Sequence, residues 1–202
     1  MMNANITNIR PDFALITNWI GNKAKVLDLG CGDGTLLTHL HETLEITGYG
    51  IEKDDSNWLA ALKNGVDVIQ MNLEEGLSGF EDQSFDTVIL SQTLQAMHNT
   101  ESIVHEMLRV GREVIVTFPN FGYWRNRIQI TFGTMPVSKS LPYQWYDTPN
   151  VHLCTINDFD KFCAQHQVEV IERKVITDGQ DVHVLPNLMG NLAMYRLRKQ
   201  PT

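Results

Sequence analysis

The chain has little cysteine: Cys31, Cys154 and Cys163 are its three thiols, an odd number with no C-x-x-C pair. That argues against a disulfide framework and against a zinc knuckle, and fits reduced thiols in a cytosolic interior. Basic residues are in the minority, with 16 Lys and Arg against 24 Asp and Glu and a formal net charge of −8. No global basic field gathers phosphates, which argues against a dedicated nucleic-acid binder. Long apolar runs are missing too. The longest, Trp58 to Leu62, falls far short of the roughly 20 residues a membrane span needs. The opening stretch Met1 to Arg10 lacks a charged-then-apolar leader layout, so the sequence reads as soluble and cytoplasmic, with no membrane partner. No repeat or low-complexity tract is visible. What is there is 202 residues, 43% of them hydrophobic; at about 150 residues per domain this is one domain with a real core and one sizeable insertion.

Short β-branched runs alternate with segments carrying apolar residues at helical spacing, the pattern of an α/β sheet. Strand Lys25 to Leu29 is followed by glycines and a helix, Thr35 to Leu44, with Leu36, Leu37, Leu40 and Leu44 on one face. Strand Ile46 to Glu52 leads to a helix from about Ser56, with Trp58, Leu59 and Leu62 expected inward and Gly65 as its stop. Strands Val66 to Met71 and Thr87 to Leu90, a helix burying Ile103, Val104, Met107 and Leu108, and strand Glu113 to Phe118 continue the series. Such βα steps imply right-handed crossovers and a largely parallel, doubly covered sheet. Prolines and glycines then break up residues from about 119 to 155, leaving room for one short helix, Tyr123 to Phe132. A helix around Asn157 to His166 and strands Val168 to Ile176 and Asn191 to Leu197 close the chain, the last pair expected antiparallel at the sheet edge.

The sharpest local signal is Asp28-Leu29-Gly30-Cys31-Gly32-Asp33-Gly34, at the turn from first strand to first helix. Ligands bind at that edge of open α/β sheets, although a glycine-rich turn by itself also serves as a tight connection. The dinucleotide pattern G-x-G-x-x-G would need glycine where Thr35 stands, and no P-loop lysine follows. Carboxylates at Asp28 and Asp33 repel a pyrophosphate but suit a ligand whose sulfonium and ammonium outweigh one carboxylate, the charge pattern of S-adenosylmethionine. Glu52, ending the second strand, is an acceptor-only group that can take ribose hydroxyls. Asn72-Leu73, after the third strand, offers an amide oxygen and a main chain for adenine; alternatively Asn72 is a turn residue ahead of Glu74, Glu75 and Gly76.

Val26 to Gly34 and Glu52 resemble the first motif and the ribose-binding acid of class I S-adenosylmethionine-dependent methyltransferases, over roughly Val26 to Phe118. The resemblance implies a Rossmann-like, seven-stranded, mostly parallel sheet with helices on both faces, its last strand antiparallel. It further implies S-adenosylmethionine or S-adenosylhomocysteine as cofactor. The candidate cofactor residues are Asp28, Gly30, Gly32, Gly34, Glu52, Asn72, Leu73 and Ser91, with Asn72 standing where aspartate is common.

An acceptor site is harder to read. The fourth strand ends in Ser91-Gln92-Thr93-Leu94-Gln95, without the D/N-P-P-Y/F tetrad of amide and amine N-methylating enzymes. His98 and His152 are the nearest titratable candidates, each more simply read as a solvated loop histidine, and neither a catalytic residue nor a metal ligand is assigned. The insertion is aromatic: Phe118, Phe121, Tyr123, Trp124, Phe132, Tyr143, Trp145 and Tyr146 gather there, and between Glu113 and Asp147 no acid occurs while Arg125, Arg127 and Lys139 do. Such a segment can pack a small core, form a protein interface or roof a pocket.

The strings Thr117 to Arg127, Met135 to Lys139 and Leu141 to Asn150, together with Leu90 to Ala96 and His152 to Thr155, are similar to the methionine biosynthesis protein MetW family, over about Asp12 to Arg198. This resemblance implies a methyltransferase-like chain that serves homoserine O-acetyltransferase, a MetX-type partner, in O-acylhomoserine formation. Methyl transfer to a small acceptor is the alternative.

Overall fold

A computed structural model describes residues 10–200. Of the stretch Met1 to Arg10 considered for a leader, all but Arg10 lies outside the described residues. The first element is a helix the strand-and-helix reading had no place for, α1 (Pro11–Trp19). Its signal is in the sequence nonetheless. Pro11 sits in the first turn, where its missing N–H costs nothing, and Phe13, Ile16 and Trp19 form one buried face.

The expected series then follows: β1 (Lys25–Leu29), α2 (Thr35–Leu44), β2 (Thr47–Glu52), α3 (Asp55–Lys63), β3 (Val68–Gln70), β4 (Phe85–Ser91), α4 (Thr100–Val110) and β5 (Gly111–Pro119). Beyond it come α5 (Trp124–Thr131), α6 (Ile156–Gln165), β6 (Val168–Thr177), β7 (Gln180–Asp181), α7 (Pro186–Met189) and β8 (Leu192–Lys199). Among the described residues no helix is long and apolar enough to cross a membrane.

The strands form one sheet in the order β3-β2-β1-β4-β5-β8-β6-β7. It is parallel from β3 through β5, and β8 runs antiparallel to both β5 and β6. Two expectations are corrected here. The sheet has eight strands, because the chain after β6 turns back at Asp178 and Gly179 and adds β7 at the edge. The final strand is interior, and the reason is burial: Leu192, Ala193, Met194, Tyr195 and Leu197 are buried, so both of its faces are covered.

Alternate residues of the central strands feed two cores. Leu27, Val88 and Val114 point to one face with Tyr195; Val26, Ile89 and Ile115 point to the other, against Leu36, Leu37 and Leu40 of α2 and Ile16 of α1. Helix α3 departs from expectation. Leu59 and Leu62 are 48% and 44% exposed, and it is Ala61 that is buried. The helix is turned so that Ala61 lies over Gly34 of the glycine loop.

Candidate functional site

The order of the sheet reverses between β1 and β4, the place where open α/β sheets bind ligands at the carboxyl ends of their strands. The glycine loop leaves β1 there and folds across the end of β2, with the N–H groups of Gly30 and Cys31 both donating to the Ile51 carbonyl at 2.8 and 3.0 Å. Gly30, Gly32 and Gly34 all have left-handed φ, +69°, +57° and +78°. A Cβ at Gly30 would strike the Thr93 side chain and one at Gly34 would strike Val66, whereas Gly32 faces open space. Two of the glycines thus close the loop, and the middle one leaves the main chain open to a ligand.

Beside that opening lies a cavity of about 270 Å3 whose walls include Asp28, Gly30, Gly32, Ser91 and, from the start of α1, Arg10 and Phe13. Asp28 is 2% exposed, and its Oδ1 has no hydrogen-bond partner among the described residues. Burial pushes its carboxyl up to about 7, partly opposed by the Arg10 guanidinium and reinforced by Glu52. Arg10 pairs with the buried carboxylate of Asp12 and donates to Ser91 Oγ at 2.7 Å. Gln92 Nε2 reaches Asp12 at 3.4 Å, and Gln92 itself is held at a left-handed φ of +54°. Arg10 is a site residue that the sequence reading missed; an arginine directly before Pro11 and Asp12 was the available signal.

Glu52 stands behind the loop. Its Oε2 accepts from Gly32 N at 2.9 Å, and its Oε1 accepts from Lys53 N and Asp54 N at 2.8 and 2.9 Å. A carboxylate has about four acceptor positions, so about one remains for a ligand hydroxyl. Gly34 packs against Val66 and Ala61. Asn72 and Leu73 are outside the cavity wall: Asn72 Oδ1 accepts from Glu74 N at 3.2 Å and caps a single 3-10 turn, Leu73–Glu75, in which Leu73 is buried. The structure therefore brings Asp28, Gly30, Gly32 and Ser91 to one cavity, ties Glu52 to it through Gly32, and gives the Asn72 oxygen a local backbone partner. Burial pushes the Cys31 thiol up to about 12, which makes it a packing group and not a nucleophile. His98 and His152 are elsewhere, lining a groove beside α4, with His152 Nε2 3.2 Å from the His98 carbonyl.

The insertion is anchored by one buried amide. Asn120 donates to the carbonyls of Asn187 and Gly190 at 3.1 and 2.8 Å and accepts from Gly122 N and Ile156 N at 3.0 and 3.3 Å. Its far end hangs on the segment after β4, where the Gln95 carbonyl accepts from both Val151 N and His152 N. The aromatic set divides: Phe118 and Tyr123 are buried, while Phe132, Trp145 and Tyr146 are 82%, 72% and 71% exposed.

The fold is that of solved methyltransferase-like proteins. A putative S-adenosylmethionine-dependent methyltransferase from Listeria monocytogenes superposes with a TM-score of 0.70 at 13% identity, over 95% of this chain and 99% of that one. The [4+2]-cyclase SpnF superposes with a TM-score of 0.68 at 17% identity, over 94% and 81%. The pair shows a shared fold and not a shared reaction. In sequence, the chain is 38% identical over 192 residues to the bifunctional methionine biosynthesis protein MetXA/MetW of Rhodopirellula baltica, a match covering 88% of this chain. It spans 31% of that longer relative. The model of the family described as methionine biosynthesis protein MetW matches residues 10–197, and the chain belongs to that family.

Proposed function

We propose that the chain binds S-adenosylmethionine or S-adenosylhomocysteine at the β1–β4 cavity and acts as the partner and activator of a homoserine O-acetyltransferase in O-acylhomoserine formation. The observation that carries this reading is the Rhodopirellula relative, whose name joins MetXA and MetW in one polypeptide. Fusion keeps two modules at high effective concentration and is favoured where they work in contact. In this reading the protein acts in the cytoplasm with its thiols reduced.

The cavity fits the proposed nucleoside. Asp28 has a buried, unpartnered oxygen suited to an ammonium group, and Arg10 at the same wall suits a carboxylate. Gly32 leaves room for close approach, and Glu52 retains an acceptor position for a ribose hydroxyl. The bound sulfonium would supply an activated methyl group. Nothing in the partner role requires that group to be transferred, and a ligand made downstream of methionine makes the site a sensor of end product.

The exposed aromatics supply the docking face. Phe132, Tyr143, Trp145 and Tyr146 are exposed in a segment free of acid that also carries exposed Arg125 and Arg127. Exposed aromatics with arginine are the composition of interface centres. Methyl transfer to a small acceptor remains the second reading, favoured by the same cavity. Calorimetry with both nucleosides, and size-exclusion chromatography of the chain mixed with purified homoserine O-acetyltransferase, test the proposal. Binding of a nucleoside and co-elution are expected. Separate elution overturns the partner role, and absence of nucleoside binding overturns the cofactor role.

A further inference from the structure

Helices α4 and α6 bring three metal-ligating side chains together, none of them among the lining residues of the β1–β4 cavity. Glu101 and His105 are one turn apart on α4, and His166 caps the C-terminus of α6. His166 Nδ1 lies 3.3 Å and His105 Nε2 lies 3.9 Å from the same oxygen, Glu101 Oε1. The three ligand atoms are within 4.8 Å of one another. The two imidazole rings meet edge to face at 5.5 Å, and Phe162 packs on the His166 ring at 4.4 Å, holding it in place.

Neither histidine is at a good hydrogen-bonding distance from the carboxylate, for which about 2.7–3.2 Å is needed, so this is a poor network in its own right. It is a good cation cage. Metal–nitrogen bonds of about 2.0–2.1 Å in tetrahedral geometry put ligand atoms about 3.3 Å apart, the spacing already present between His166 and Glu101, and small rotamer changes of exposed side chains bring His105 in. The surrounding groove, about 760 Å3, is also lined by His98 and His152, and by Glu106, whose carboxylate is already paired with Arg109. The chain's net charge of −8 also favours a cation.

We propose that Glu101, His105 and His166 form a binding site for a zinc-class divalent cation. Two imidazoles and one carboxylate select zinc, nickel, cobalt or copper over magnesium and calcium, which prefer all-oxygen sites. Three protein ligands leave a fourth position open to water or to a group from outside.

The test uses the untagged full chain, stripped with chelator and titrated with zinc by calorimetry and with cobalt by visible absorption. One equivalent of zinc is expected to bind at about 10 μM or tighter, with cobalt giving the ligand-field absorption of a low-coordinate nitrogen and oxygen site. His105→Ala and Glu101→Gln, both at exposed positions, are each expected to weaken binding at least about tenfold while the metal-free melting temperature stays put. Because His166 also caps α6, His166→Gln serves as a third variant and not as the sole one. Failure to saturate at one equivalent overturns the site. So does zinc binding that survives both the His105 and Glu101 replacements, since it would then come from other histidines.

Discussion

Glu52 Oε2 accepts the main-chain N–H of Gly32 at 2.9 Å, so the last residue of β2 fixes the one glycine of the loop that faces open space. The other carboxylate oxygen takes Lys53 N and Asp54 N, which turns the chain from β2 into α3. One side chain thus shapes the rim of the cavity and retains about one unfilled acceptor position.

Glu52→Ala removes that acceptor and leaves three N–H groups without a partner. A charged hydrogen bond is worth about 1.5–3 kcal/mol, so nucleoside affinity should fall about 10- to 100-fold by calorimetry. The melting temperature should fall as well, and Glu52→Gln, whose single carbonyl oxygen can accept only some of these N–H groups, should recover part of the stability but not the affinity. Unchanged affinity in the alanine variant would remove Glu52 from the site.

Asp28 makes the site pH-dependent in a defined direction. Its folded-state pKa is raised by burial from 3.8 to about 7, so its contribution to stability is complete below the unfolded value and is lost as pH rises through about 7. The ligand-free protein should therefore lose thermal stability between about pH 4 and pH 7, and level off above that, relative to Asp28→Asn. A cationic ligand draws the ionised form, so S-adenosylmethionine should bind about tenfold more tightly per pH unit up to about 7 and level off above it. Asp28→Asn should flatten that profile; an identical slope in both proteins would assign the dependence to another group.

Trp145 and Tyr146 are largely exposed and pack edge to face at 5.7 Å, so replacing both by alanine costs the fold little. Interface aromatics of this kind are worth about 2 kcal/mol or more each. The double variant should keep its melting temperature and nucleoside affinity and lose co-elution with the acyltransferase. Retained co-elution would move the docking face elsewhere.

Asn120 is 1% exposed and joins the insertion to the α6 and α7 ends of the chain through three hydrogen bonds, while a fourth holds Gly122 N within the insertion. Asn120→Ala strands buried donors and acceptors, at about 1–3 kcal/mol each. A fall in denaturation free energy of at least about 2 kcal/mol is expected, with faster hydrogen exchange or proteolysis between residues 121 and 155. A loss of stability without local opening would mean that the insertion is held by its other contacts.

How far the sequence carried the reading depends on the range of the interaction. The glycine loop and Glu52 were legible because backbone conformation and strand-end position are local properties, and β1, α2 and β5 follow from simple periodicity. Arg10 was not, because its partner Ser91 is 81 positions away and only the docking of α1 joins them. Leu59 and Leu62 look inward by spacing, but the residue that faces inward, over Gly34, is Ala61. The interior place of β8 depends on burial of both its faces, whereas the change from βα steps to a closing strand pair suggested an edge. Asn72 reads equally as ligand contact or turn former, and the structure gives its oxygen to Glu74 N.

The partner role is tested most directly by assaying homoserine O-acetyltransferase from the same organism with increasing amounts of this chain. A large rise in activity is expected, saturating at a fixed stoichiometry, responding to S-adenosylmethionine or S-adenosylhomocysteine, and absent with the Trp145 and Tyr146 double variant. An acyltransferase equally active with and without the chain, at concentrations where the chain binds its nucleoside, would contradict the partner role and leave methyl transfer as the reading to pursue.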